Sequence, residues 1–98
     1  MGKIIWTAEA ESWLREIHGY IAADNPRAAQ RTVRGIYEKA QVLSRHPEIG
    51  YLHSARVQKP VRVLLYGHYR IAYLILPEDG IQILGVFHGS LDMDRFLV

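Results

Sequence analysis

From Val61 to Gly89 the chain reads VRVLLYGHYRIAYLILPEDGIQILGVFHG, and this stretch leaves little choice of architecture. Runs rich in valine, isoleucine and tyrosine occupy Val61–Leu65, Tyr69–Leu76 and Ile81–Phe87. Gly67-His68 and Pro77-Glu78-Asp79-Gly80 separate them. Glycine reaches positive φ without a Cβ penalty and proline presets φ, so both breaks read as turns. β-Branched and aromatic residues suit a pleated, half-buried surface, so the runs read as consecutive strands of an antiparallel meander. Such a sheet needs a cover for at least one apolar face.

The first half of the chain supplies that cover. Lys3–Trp6 is a short β-prone run expected to join the sheet, and Thr7 is placed to cap a helix by accepting from an otherwise orphan N–H. Glu9 and Glu11 follow where the helix dipole favours acids. Ala10, Trp13, Leu14, Ile17, Tyr20 and Ile21 recur at three- and four-residue steps, which puts them on one helical face and, by that periodicity, in the core. Asn25-Pro26 restarts a second helix as cap and first residue. Ala29, Val33, Ile36, Ala40 and Leu43 form its apolar stripe, and Arg45-His46-Pro47 closes it. So short a break between helices makes them an antiparallel hairpin. Residues 48–60 show neither periodicity and read as a loop with a short extended piece at its end, and Ser90–Val98 reads as a tail docking through Leu91, Met93, Phe96 and Leu97. The expected fold is a two-layer α+β sandwich: an N-terminal strand, a helical hairpin, then a three-stranded antiparallel meander.

A chain of 98 residues suits one domain, residues 1–98, with one modest core. The absence of cysteine excludes a disulfide framework and thiolate chemistry, and is compatible with the cytoplasm. No apolar run approaches the roughly 20 residues of a membrane-spanning helix, so no membrane association is expected. The N-terminal sequence meets acids at once, unlike a signal peptide. Net charge is +2, too little by itself to argue for nucleic acid, but arginine outnumbers lysine nine to three, and arginine makes the better planar, bidentate contacts.

No HExxH motif, phosphate-cradling glycine loop or GxSxG elbow is present, which leaves no signature of metal, nucleotide or serine-hydrolase chemistry. No cofactor is expected. Arg70 and His88, at neighbouring ends of adjacent strands, could grip and protonate a phosphodiester if the intervening turn brings them to one face. The alternative is a solvated arginine beside a polar strand end, and burial statistics favour it. Arg62 either joins Arg56 and Lys59 in a basic concavity or marks the solvent face; alternation with Val61, Val63 and Leu65 favours the latter. Tyr66 and Tyr69 beside the hairpin turn read as packing groups. Arg27, Arg31 and Arg34 share one face of the second helix, a solvated face by default and a nucleic-acid face as the minority reading.

Several stretches carry a resemblance in their order and spacing. They are WTAEAESWL from Trp6, YIAADNPRAA from Tyr20, LSRHPEIG from Leu43, YRIAY from Tyr69 and ILGVFHGSLD from Ile83. Together they resemble the RelE/ParE superfamily of toxins from type II toxin–antitoxin systems, the plasmid-stabilisation proteins, over nearly the whole chain. The Asn-Pro-x-Ala-Ala junction and the Ile-Leu-x-Val-x-His ending resemble the ParE branch. The resemblance implies the two-layer fold described above and either of two activities. RelE-like members cut mRNA on the ribosome without metal; here Arg70 and His88 match positions that some of them use, and Arg62 is a further candidate on the meander. ParE-like members inhibit DNA gyrase by protein–protein binding and are not nucleases. Gly89 stands where the nucleases tend to carry tyrosine, and no lysine cluster lies on the meander, which favours the gyrase reading. Many ParE relatives continue after the histidine with Gly-Arg-Arg-Asp; this chain has Gly89-Ser90-Leu91-Asp92, so only the glycine and the aspartate are kept, with Arg95 nearby. The resemblance also implies a cognate antitoxin, docking by a helix in a groove and by strand addition, and contact with DNA only through that antitoxin. Candidate partner contacts are Arg56, Lys59, Arg70, His88, Asp92 and Arg95. A degenerate, non-toxic antitoxin-binding relative is the remaining reading.

Overall fold

The computed structural model describes residues 2–54 and 60–97. Strand β1 (Ile4–Trp6) leads into helices α1 (Ala8–Ala22) and α2 (Pro26–Ala40), followed by β2 (Tyr51–Ser54), β3 (Val61–Tyr66), β4 (Tyr69–Ile75) and β5 (Ile81–His88). The sheet runs β1-β5-β4-β3-β2, with β1 parallel to β5 and the other neighbours antiparallel. The α+β fold is as the sequence implies. β2 is the element it hid: a strand pairs with β3 inside the stretch that reads as loop, and its register slips between Leu52 and Ser54.

Local signals explain the helices. Thr7 Oγ1 accepts from the Ala10 N–H (3.1 Å) and donates to the Ile83 carbonyl (2.8 Å), so one hydroxyl caps α1 and ties it to β5. Asn25 caps α2 by accepting from the Ala28 N–H, with Pro26 next. The second helix tightens to a 3-10 turn over Gln41–Ser44 before Arg45. At the hairpin turn Gly67 has φ of 57°, the left-handed region that glycine enters without steric cost. In the next turn the positive φ values fall on Glu78 and Asp79, and Gly80 is extended.

Both faces of the sheet are covered. On one side α1 and α2 bring Leu14, Ile36, Ala40 and Leu43 against Leu64, Ile71, Tyr73, Ile81, Ile83 and Val86. On the other, Val61, Val63, Ala72 and Phe87 are covered by Met93 of the C-terminal segment, with Leu91 and Leu97 beside it. Trp13 joins this second cluster from α1, its ring 4.8 Å from Phe87 and 4.9 Å from Phe96. The tail therefore docks as its apolar residues suggest, but on the face away from the hairpin.

One irregularity decides how the site residues are distributed. From Ile75↔Ile81 to Tyr73↔Ile83 the β4–β5 ladder is regular; then Ala72 pairs with Gly85, which leaves Leu84 as an extra residue on β5. Such a bulge reverses the alternation of side chains beyond it. Ile81 and Ile83 face the helices before it, and Val86 faces them after it.

Candidate functional site

The end of the sheet where the β3–β4 turn meets the end of β5 gathers His68, Tyr69, Arg70, His88, Gly89 and Ser90 around an open depression of about 380 Å³. The Gly89 N–H donates to the His68 carbonyl (2.7 Å), which holds the two chain segments side by side. Tyr69 pairs with His88 across the ladder, the rings edge-on at 5.7 Å, and His68 stacks on His88 at 6.1 Å.

His88 is exposed, and its orientation is set locally. The Ser90 N–H donates to Nδ1 (3.2 Å) and Ser90 Oγ lies 2.8 Å from the same atom. A backbone donor aimed at Nδ1 puts the proton of the neutral ring on Nε2, which leaves Nε2 as the outward donor. Burial, with the Tyr20 phenol nearby, raises the Tyr69 hydroxyl above its ordinary pKa. At neutral pH Tyr69 is an O–H donor and no base.

Arg70 lines the same depression from the other face of the sheet. It pairs with Leu65 on one side and Phe87 on the other, on the face opposite His88. Its Nη2 donates to the carbonyls of Leu91 (2.6 Å) and Gly89 (3.1 Å), and its buried Nε has no partner. Arg70 thus fastens the chain that leaves β5. Arg62 is likewise tied to backbone, donating from Nη1 to the Gly50 carbonyl at 2.8 Å and more weakly to Glu48 at 3.3 Å. It pairs with Tyr73, which puts it on the helix side near the other end of β3. Alternation assigns it to a solvent face; it misleads because the tail, not solvent, covers Val61 and Val63.

Arg70 and His88 therefore line one depression but point to opposite faces of the sheet, and Arg62 stands apart from both. Among the candidate partner contacts, Asp92 caps the last 3-10 turn by accepting from the Asp94 N–H, and Arg95 is exposed. Arg56 and Lys59 lie outside the described residues. Among the described residues no cluster of at least three histidine and acidic side chains could hold a metal ion, and no helix is long and apolar enough to cross a membrane.

Next to the depression lies a groove of about 360 Å³ lined by Trp13, Glu16, Ile17, Tyr20, Tyr69, Val86, His88, Ser90 and Leu91. Tyr20, expected in the core, is 85% exposed at its edge. The helical period puts it on the face turned to the sheet, but there it borders an open groove and not a filled core, and periodicity carries no signal of where the packing ends.

Two helices over a mixed five-stranded sheet, with the tail folded across the other face, form a RelE/ParE-like toxin fold. The chain is similar to the solved chromosomal ParDE system of P. aeruginosa, with 24% identity, a TM-score of 0.72, and 90% of this chain and 96% of that chain covered. It is also similar to the RelBE2 toxin–antitoxin complex of Mycobacterium tuberculosis, with 24% identity, a TM-score of 0.62, and coverage of 89% and 96%. No curated protein sequence matches it. The family model that matches is that of the ParE toxin of the type II toxin–antitoxin system, parDE, over residues 4–93, and the chain belongs to this family.

Proposed function

We propose that this ParE-family toxin inhibits DNA gyrase by protein–protein binding and is neutralised by a cognate antitoxin. The observation that carries the reading is that Arg62 and Arg70 are tied to backbone carbonyls and that Arg70 and His88 point to opposite faces of the sheet. A nuclease acting on one phosphodiester needs its cationic clamp and its acid or base within hydrogen-bond reach of the same group. Here one arginine holds the carbonyls of Gly89 and Leu91, the other holds those of Glu48 and Gly50, and the histidine stands on the sheet face opposite Arg70. Membership of the ParE family supports the same reading.

The groove beside α1 suits an antitoxin helix. It presents the apolar walls of Trp13 and Ile17, a projecting Tyr20, and polar ends at Glu16 and His88. The free edge of β2, with Tyr51 and Leu52 half exposed, suits an added strand.

Purified gyrase is the test of the target. Supercoiling should fall as the folded toxin is added and recover with the antitoxin; supercoiling that stays unaffected overturns the gyrase reading. The competing reading, ribosome-dependent mRNA cleavage, rests on the outward Nε2 of His88 at an open depression. Translation-dependent cleavage that His88→Ala abolishes would establish it instead.

A further inference from the structure

We propose that the outer face of α2 binds the phosphate backbone of double-stranded DNA, giving the toxin a nucleic-acid contact of its own. The proposal goes beyond the gyrase reading and does not depend on it. Its basis is the placement of charge. Residues 26–45 carry Arg27, Arg31, Arg34, Lys39 and Arg45 against a single acid, Glu38, a net +4 in a chain whose total is +2. The remainder of the chain is thus net negative; within it residues 49–76 also carry Arg56, Lys59, Arg62 and Arg70 without an acid, but Arg62 and Arg70 donate to backbone carbonyls, which sets the basic face of α2 apart.

The arginines are presented together. On a helix of 3.6 residues per turn, positions 27, 31 and 34 fall within about 60° of arc and span about 10 Å along the axis. All three are exposed, as are Gln30 between them and Lys39 and Arg45 beyond. The stripe ends at Asp24 on one side and Glu38 on the other, yet among the described residues no arginine or lysine is paired with a carboxylate, the one contact of that kind being between His53 and Asp94. The guanidiniums therefore have no carboxylate partner there and keep their donors for a ligand. The first turn of α2 also lacks acids.

Two features select DNA over an acidic protein surface. Among the described residues the exposed large hydrophobic ones are Ile5, Tyr20, Ile49, Tyr51, Leu52, Leu65 and Phe96, and none lies on α2. Protein interfaces draw most of their affinity from desolvated aromatic and apolar anchors, which this face does not offer. A row of arginine forks without apolar anchors fits phosphate oxygens along a duplex, where contacts position the protein without reading sequence.

Fluorescence anisotropy of a short labelled duplex of arbitrary sequence, titrated with the full chain at a series of salt concentrations, tests this. The wild type should bind with an affinity that falls linearly in log–log form as salt rises. Arg31→Gln/Arg34→Gln should make that slope shallower by about 0.9 for each phosphate it no longer neutralises. Lys3→Gln/Arg15→Gln removes the same charge from exposed positions off α2 and should leave the slope as it is. Circular dichroism confirms that both variants fold. Equal losses in the two variants would reduce the effect to net charge and overturn the proposal. So would absence of duplex binding at low salt, or binding to polyglutamate as tight as to DNA.

Discussion

Arg70 and His88 point to opposite faces of the sheet, because a single extra residue, Leu84, shifts the β4–β5 register between them. Without that bulge the regular ladder that starts at Ile75↔Ile81 would continue to Arg70↔Val86 and put both side chains on one face. With it, Arg70 pairs with Phe87 and His88 with Tyr69. Two residues of equal parity thereby acquire separate duties: Arg70 holds the tail, and His88 faces the groove.

The first consequence is for stability. Arg70→Ala removes two donations, to Gly89 and Leu91, and should destabilise the fold by about 1–3 kcal/mol, in the range of charge-assisted hydrogen bonds. His88→Ala, at an exposed strand end, should stay within about 0.5 kcal/mol of wild type. Urea denaturation midpoints give the comparison. Limited proteolysis should cut Arg70→Ala, and not His88→Ala, early within the segment after Gly89.

Trp13 and Tyr20 lie on one helical stripe and should behave in opposite ways. Trp13 is half-buried and packs against Phe87 and Phe96, so Trp13→Ala should cost about 1–3 kcal/mol. Tyr20 is 85% exposed, so Tyr20→Ala should leave stability within about 0.5 kcal/mol. If the groove receives the antitoxin helix, Tyr20→Ala should nevertheless weaken antitoxin binding at least tenfold, as removal of an aromatic anchor does. Calorimetry on the folded variant separates the two effects.

Those contrasts mark how much a single sequence carries. Thr7 and Asn25-Pro26 placed both helix starts, and the turns at Gly67 and Pro77 placed the meander, because capping and turn chemistry act over a few neighbouring residues. β2 escaped because its four residues, Tyr51-Leu52-His53-Ser54, show no apolar alternation, and an edge strand is held by the partner it borrows. The distribution of Arg62, Arg70 and His88 escaped for a different reason. It depends on one bulge and on which face the tail covers, and both are settled by contacts distant along the chain.

Gly50 illustrates the same limit at one position. In sequence it is a loop glycine; in the fold its N–H is committed, donating to the Tyr73 hydroxyl at 3.0 Å, while that hydroxyl donates to the Pro47 carbonyl. A Cβ at this position would come within 2.7 Å of both the Tyr73 hydroxyl and the Val63 carbonyl. One is part of a fully buried side chain and the other is backbone, so neither can move cheaply. Gly50→Ala should destabilise by about 1–3 kcal/mol, the usual cost of overpacking, and thermal denaturation would read it.

Tyr37 should make the protein sensitive to alkali. Its hydroxyl donates to both carboxylate oxygens of Glu11, at 2.8 and 2.9 Å, and so joins α2 to α1. Burial, reinforced by the hydrogen bond and the negative charge of Glu11, pushes its pKa from 10.0 to about 12. The folded chain therefore keeps a proton that the unfolded chain gives up between those values, and the stabilisation, complete below pH 10, is lost as pH rises towards 12. Tyr69 and Tyr73 are raised by burial and add to the loss in the same direction. Tyr37→Phe should be less stable than wild type at neutral pH, having given up the bond to Glu11, and should lose less on going to alkaline pH. Denaturant midpoints followed through this window should thus converge for the two proteins. Curves that run parallel would mean that Tyr37 titrates alike in the folded and unfolded chains and that its link to Glu11 contributes nothing to the alkaline limit.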